Sequence, residues 1–106
     1  MSSEFLFSYG TLQLEAVQLT LFGRPLTGTP DELSEHRATL LESDEPAERH
    51  PIARHTGDAG DCVSGTVFTV TLEELVRADE YEPPPYERRA VQLRSGIVAW
   101  AYLDSR

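Results

Sequence analysis

Three carboxylates fall within four residues at Asp79-Glu80-Tyr81-Glu82, just ahead of Pro83-Pro84-Pro85 and Tyr86-Glu87-Arg88-Arg89. One carboxylate both accepts and returns a proton when its pKa lies near the working pH. Acids at a helix C-terminus ordinarily face solvent, and they oppose the helix dipole there. A solvated acidic turn and a retained proton-transfer residue both fit this spacing. The prolines form a stiff connector that holds Glu82 at a fixed offset from the segment beyond. In that segment Tyr86 and Arg88 lie two apart, so on a strand they share a face, while Arg89, Val91 and Leu93 take the other.

A second constellation, Tyr9-Gly10-Thr11-Leu12, joins an apolar stretch to a helical one. Glycine at a strand end frees backbone N–H groups to face a ligand, and a helix start adds positive potential. No Gly-Lys-Ser/Thr follows, so this is not a phosphate loop. An ordinary strand-to-helix turn has the same spacing.

The remaining reactive residue types point to no further chemistry. His36, His50 and His55 lack metal-pair spacing, so no metal is expected. Cys62 has no basic cluster nearby to lower its pKa. Ser8 and Ser64 lack the Gly-x-Ser-x-Gly elbow of a serine hydrolase.

The elements that must position these residues follow from periodicity and punctuation. Phe5 to Tyr9 reads as a strand ended by Gly10. Leu14 to Phe22 carries Leu14, Val17 and Leu21 at helical spacing, with Gly23 as C-cap and Pro25 beyond. Leu26 to Glu32 reads as a turn around Gly28 and Pro30. Arg37 to Glu42 reads as a short strand. Ser43 to Asp61, with Pro46, Pro51, Gly57 and Gly60, reads as a long acidic loop with room for a short strand near Ile52. Val63 to Val70 is a β-branched strand. Thr71-Leu72-Glu73-Glu74 has the capping-box form and predicts a helix through Ala78. Tyr86 to Leu93 and Ile97 to Leu103 read as strands joined at Ser95-Gly96. Trp100 and Tyr102 alternate on the last strand and are assigned to the core. The order is that of an α+β fold with a mixed sheet.

Length and charge set outer limits. The chain has 106 residues, 40% hydrophobic and 25% charged, which predicts one domain over residues 1–106. The net charge of −9 disfavours nucleic acid and anionic membranes as partners. No apolar run reaches membrane-spanning length, and Met1 to Ser8 has no signal-peptide pattern. One cysteine permits no internal disulfide, which suits the cytoplasm. Monomer and homodimer both remain open.

Taken in order, Phe7-Ser8-Tyr9-Gly10-Thr11-Leu12, Val63-Ser64-Gly65-Thr66-Val67-Phe68, Ala78-Asp79-Glu80-Tyr81-Glu82, Tyr86-x-Arg88 and Gly96-Ile97-Val98-Ala99-Trp100-Ala101-Tyr102 span nearly the whole chain. This series resembles the γ-glutamylcyclotransferase-like family, which includes the AIG2-like proteins. The resemblance implies a small mixed β-barrel with flanking short helices. It implies a γ-glutamyl small-molecule substrate cyclised to 5-oxoproline with release of an amine, and no metal or cofactor. It puts the catalytic glutamate at Glu82 and the substrate-binding residues at Tyr9, Gly10, Thr11, Leu12, Tyr86 and Arg88. Two positions depart from the family: Pro83 stands where glycine usually follows the glutamate, and Gln13-Leu14-Glu15 replaces a frequent basic residue. A non-catalytic module that binds a small metabolite or a partner on the same fold is the alternative.

Overall fold

The computed structural model describes residues 3–41 and 50–106. Strand β1 (Ser3–Ser8) runs into a 3-10 turn (Thr11–Gln13) and helix α1 (Glu15–Phe22). Strands β2 (Gly28–Ser34), β3 (His36–Leu41), β4 (His50–His55) and β5 (Cys62–Thr71) follow. Helix α2 (Leu72–Tyr81) and strands β6 (Tyr86–Gln92) and β7 (Val98–Asp104) complete the order. Five strands form one sheet in the order β2-β5-β1-β7-β6, and β3 and β4 form a separate two-stranded ribbon. Only β1 and β7 pair in parallel within the large sheet; its other pairs are antiparallel.

Alternation along β1 divides the core in two. Leu6 faces the helices, in a cluster with Leu12, Phe22, Phe68 and Leu75. Phe7 faces the ribbon, in a cluster with Leu33, Ala53, Val67 and Leu103. Leu6 and Phe7 are both fully buried, and burying each stabilises the fold by about 1.5–3 kcal/mol. The central strand is therefore apolar on both faces, and its last residues emerge at one end of the sandwich.

Local chemistry closes both helices. Gly23 ends α1 in the left-handed region at φ 76°, as its position as C-cap requires. Buried Gln18 donates through Nε2 to the Leu12 carbonyl and accepts through Oε1 from the Leu26 N–H, both at 2.8 Å, which ties together the entry and exit of α1. The predicted capping box starts α2: Thr71 Oγ1 accepts from the Glu74 N–H, and Glu74 Oε1 accepts from the Thr71 N–H. Arg24 adds a two-pronged ion pair to the same Glu74, and that guanidinium holds its carboxyl below the usual range. Helix α2 runs to Tyr81, past the predicted end at Ala78, and stops where the prolines follow.

Three expectations are corrected. Leu26 to Glu32 is not a turn; most of it lies in β2, which pairs with β5 from Gly28↔Phe68 to Ser34↔Cys62. Proline is admitted there because β2 is an edge strand, with one side free of ladder bonds. Gly28 lets it approach: a Cβ there would lie 2.5 Å from the Phe68 ring. The stretch predicted as a long loop with room for a short strand near Ile52 holds β4 across Ile52, a strand of 6 residues paired with β3 from His36↔His55 to Leu41↔His50; residues 42–49 of that stretch lie outside the described residues. The α+β class and mixed sheet hold, but among the described residues the strands close no barrel, since β2 and β6 remain free edges.

Gly65 carries a steep requirement where β5 crosses the end of β1. A Cβ there would fall on the Ser8 carbonyl oxygen and within 2.7 Å of the Phe7 ring. Backbone cannot yield as a side chain does, so Gly65→Ala is expected to cost about 2–3 kcal/mol, read as a lower urea midpoint with an unchanged slope.

Candidate active site

The end of β1 and the end of α2 meet at one cavity of about 250 Å³. Phe7, Leu41, Pro51 and Pro83 give it apolar walls, while Ser8, His50 and several tyrosines supply its polar atoms. Tyr9, Gly10, Thr11, Glu82 and Tyr86 all line it. Leu12 and Arg88 do not.

Glu82 occupies the C-cap of α2. Its N–H still bonds to the Ala78 carbonyl at 3.1 Å, while its own backbone is extended at φ −81° and ψ 115°. The helix thus delivers the residue, and the turn out of the helix aims it away from the helix surface. Its carboxyl makes no side-chain hydrogen bond among the described residues. Burial alone pushes its pKa up to about 7, because a low-dielectric site disfavours the charged form. The other two acids differ. Asp79 is engaged by Arg88 and Tyr102, and Glu80 is exposed.

Two tyrosines build the cavity wall. The Tyr9 hydroxyl donates to the Tyr102 carbonyl at 2.5 Å and accepts from the Ala53 N–H at 2.9 Å. The Tyr86 hydroxyl donates to the Pro51 carbonyl at 2.7 Å. Both contacts clasp β4 onto the large sheet. Burial raises both phenols, Tyr9 well above its usual range and Tyr86 to about 12, with the Glu82 charge adding to each. Tyr9→Phe leaves the fully buried Ala53 N–H unpaired. That is expected to cost about 1–3 kcal/mol in urea denaturation and to loosen β4.

The loop side offers donors. The Gly10 N–H makes only a long contact of 3.4 Å to Ser8 Oγ. The Thr11 and Leu12 N–H groups open the 3-10 turn, where such groups have no partner within the turn, and neither donates to a described group. The Thr11 hydroxyl bridges to the Tyr81 hydroxyl at 2.8 Å, joining this loop to the end of α2. The Leu12 side chain is buried in the helix-side core, and Leu12 is not part of the cavity lining.

A second recess lies beside the first and shares Glu82, Tyr86 and Tyr102 with it. Arg88 lines this one. Its Nε and Nη2 donate to Asp79 at 2.8 and 3.1 Å, and its guanidinium lies 4.4 Å from the Trp100 ring centroid.

Sequence reasoning passes over Leu41, His50, Pro51, Tyr81 and Tyr102 as cavity residues. Assigning Tyr102 to the core catches its burial but not its second face. His50 and Pro51 are hidden because their strand looks like a loop. No group of three or more potential metal ligands occurs among the described residues. Exposed Cys62 has its thiol pKa raised by burial and by Glu32, so it is a weak nucleophile. Among the described residues no helix is long and apolar enough to cross a membrane.

The family described as "Gamma-glutamyl cyclotransferase, AIG2-like" matches residues 6–105. A solution structure from Arabidopsis thaliana superposes with a TM-score of 0.82 at 24% identity, covering 99% of this chain and 64% of that one. A structure named gamma-glutamyl cyclotransferase gives 0.79 at 18% identity, covering 97% and 67%. An uncharacterised human protein gives 0.78 at 18% identity, covering 100% and 69%. At these identities the likeness is one of fold. The chain spans less than two thirds of the Arabidopsis protein's length. No curated protein sequence matches it.

Proposed function

The chain belongs to the AIG2-like gamma-glutamyl cyclotransferase family, and on that premise we propose that it cyclises the γ-glutamyl group of a γ-glutamyl amine, with Glu82 as general base and then general acid. The substrate's α-amino nitrogen attacks its own γ-carbonyl carbon. A C–N bond forms in a five-membered ring, the original amide C–N bond breaks, and 5-oxoproline and a free amine result. An ammonium is no nucleophile, so the Glu82 carboxylate takes its proton. An amine anion is a poor leaving group, so the protonated Glu82 returns that proton to the departing nitrogen. After the ring C–N bond forms, the attacking nitrogen sheds a second proton and the expelled amine takes it up, so 5-oxoproline keeps one ring N–H, the amine leaves as its ammonium, and Glu82 ends as the carboxylate it began as.

The observation that carries this reading is the partly buried Glu82 carboxyl, which makes no side-chain hydrogen bond among the described residues and has its pKa pushed up to about 7, in the same cavity as the Tyr9 to Thr11 loop. Near neutrality such a group is split about evenly between its two forms, which suits a residue that must act in both. Charge developing on the carbonyl oxygen needs donors that are already in place. In this reading the N–H groups of Gly10 and Thr11, both residues of the cavity lining, receive it. Tyr9 and Tyr86 shape the cavity, and its walls press the flexible γ-glutamyl chain towards the ring-closing geometry.

Incubating the protein with a panel of γ-glutamyl amines and assaying 5-oxoproline tests the reaction. Product from at least one member is expected. A ligand that raises the melting temperature without being consumed, with no product from any member, would instead establish the non-catalytic alternative.

A further inference from the structure

The second recess holds the one cation that the resemblance assigns to substrate, Arg88, and its charge is already committed elsewhere. Arg88 on β6 grips both carboxylate oxygens of Asp79, in the last turn of α2. The Tyr102 hydroxyl on β7 donates to Asp79 Oδ1 at 2.7 Å. Arg88 also lies over Trp100 of β7, whose Nε1 donates to Glu4 of β1 at 3.3 Å. Asp79 thus pins the end of α2 to two strands, three residues before Glu82. A bidentate guanidinium–carboxylate pair fixes direction as well as distance.

Charge is the other half of the matter. On α2, Asp79 and Tyr81 face the two recesses around Glu82. From β6 come Tyr86, Glu87 and Arg88, and from β7 Tyr102. Tyr9 and His50 face it from the loop and the ribbon. Buried Tyr102 and partly buried Tyr9 and Tyr86 keep their protons at neutral pH, since burial raises each of them. Glu87 is paired with Arg89 of its own strand at 2.7 Å. In the second recess the charges left beside Glu82 are Asp79 and Arg88, and they cancel. Tyr102 stands within electrostatic reach of all three: Asp79 and Glu82 push its pKa up and Arg88 pulls it down.

We propose that Asp79 and Arg88 are positioning residues for Glu82, a charge-neutral clamp that locks the end of α2 and adds no net charge beside the catalytic carboxyl, and that Arg88 is not a substrate contact. The catalytic importance of the clamp rests on the function proposed above; its effect on Glu82 does not. Removing either member leaves the other's charge exposed to Glu82, and the two removals act in opposite directions. With Asp79→Asn, Arg88 favours the Glu82 carboxylate. With Arg88→Met, Asp79 disfavours it.

The test is a carbon-13 NMR titration of the Glu82 carboxyl without substrate, so a lack of turnover leaves its outcome readable. Asp79→Asn is expected to move the midpoint down and Arg88→Met to move it up, each by up to about one pH unit, the direction that an uncompensated charge lining the same recess imposes. The double variant returns it towards wild type. Tyr102→Phe removes one hydrogen bond and no charge, and leaves the midpoint in place. Should Arg88→Met fail to fold, the contrast between near-isosteric Asp79→Asn and Tyr102→Phe decides. Equal movement in those two, movement of both charge variants in one direction, or no movement in Asp79→Asn overturns the proposal.

Discussion

Glu82→Gln is expected to lower the rate of 5-oxoproline release by roughly 10²–10⁴-fold, the usual worth of a positioned acid–base group. Glutamine keeps the shape of the side chain and fits the same partly buried space. It can neither take the proton of the attacking amine nor return one to the leaving nitrogen. The loss corresponds to about 3–5 kcal/mol of transition-state stabilisation. It should fall on kcat, because the Tyr9 to Thr11 loop and Tyr86 remain to hold the substrate. Initial rates over a range of substrate concentration check this. A change confined to KM would move Glu82 from proton transfer to binding.

The same residue should make the fold more stable in mild acid than in mild base. Folded Glu82 keeps its proton up to about 7, against an ordinary value of 4.5 in the unfolded chain. Between those limits the folded state binds more protons, so stability falls as pH rises. The contribution is present in full below about 4.5 and is lost as pH rises through 7. The shift corresponds to about 3 kcal/mol, and partial exposure brings the expectation nearer 2 kcal/mol. Glu74, Asp31 and Asp104 have their pKa values lowered by ion pairs or hydrogen bonds, so their contributions are lost below the carboxylate range, in a different window. Urea denaturation of wild type and Glu82→Gln at pH 5 and pH 8 isolates the Glu82 part. The variant should gain on wild type at pH 8 and lose that advantage at pH 5. Parallel behaviour would mean that Glu82 is solvated.

Much of this framework is legible in the residue order. The capping box at Thr71 starts α2 where it is found, and Gly23 closes α1. An apolar run marks β1, β-branched residues mark β5, and the Ser95-Gly96 turn marks the β6–β7 hairpin. What is lost lies at edges. Pro30 looks like a turn residue because proline is excluded from a strand paired on both sides, and nothing local says that β2 has a free side. Pro51 and the polar residues around Ile52 conceal the extent of β4 for the same reason, and with it the Leu41, His50 and Pro51 wall of the cavity. Sequence spacing also leaves Asp79 and Glu82 equivalent as carboxylates. Their difference is tertiary: Arg88 and Tyr102 reach Asp79, and no described side chain reaches Glu82. Arg88 shares a strand face with Tyr86 as the spacing predicts, yet the ion pair with Asp79 turns it into the neighbouring recess.

The decisive measurement is the pH dependence of 5-oxoproline formation by wild type and Glu82→Gln on the same γ-glutamyl amine. Wild-type kcat/KM should inflect near pH 7, and the residual rate of Glu82→Gln should be at least a hundredfold lower and lack that inflection. An undiminished rate in Glu82→Gln, or the same inflection in both proteins, would contradict proton transfer by Glu82.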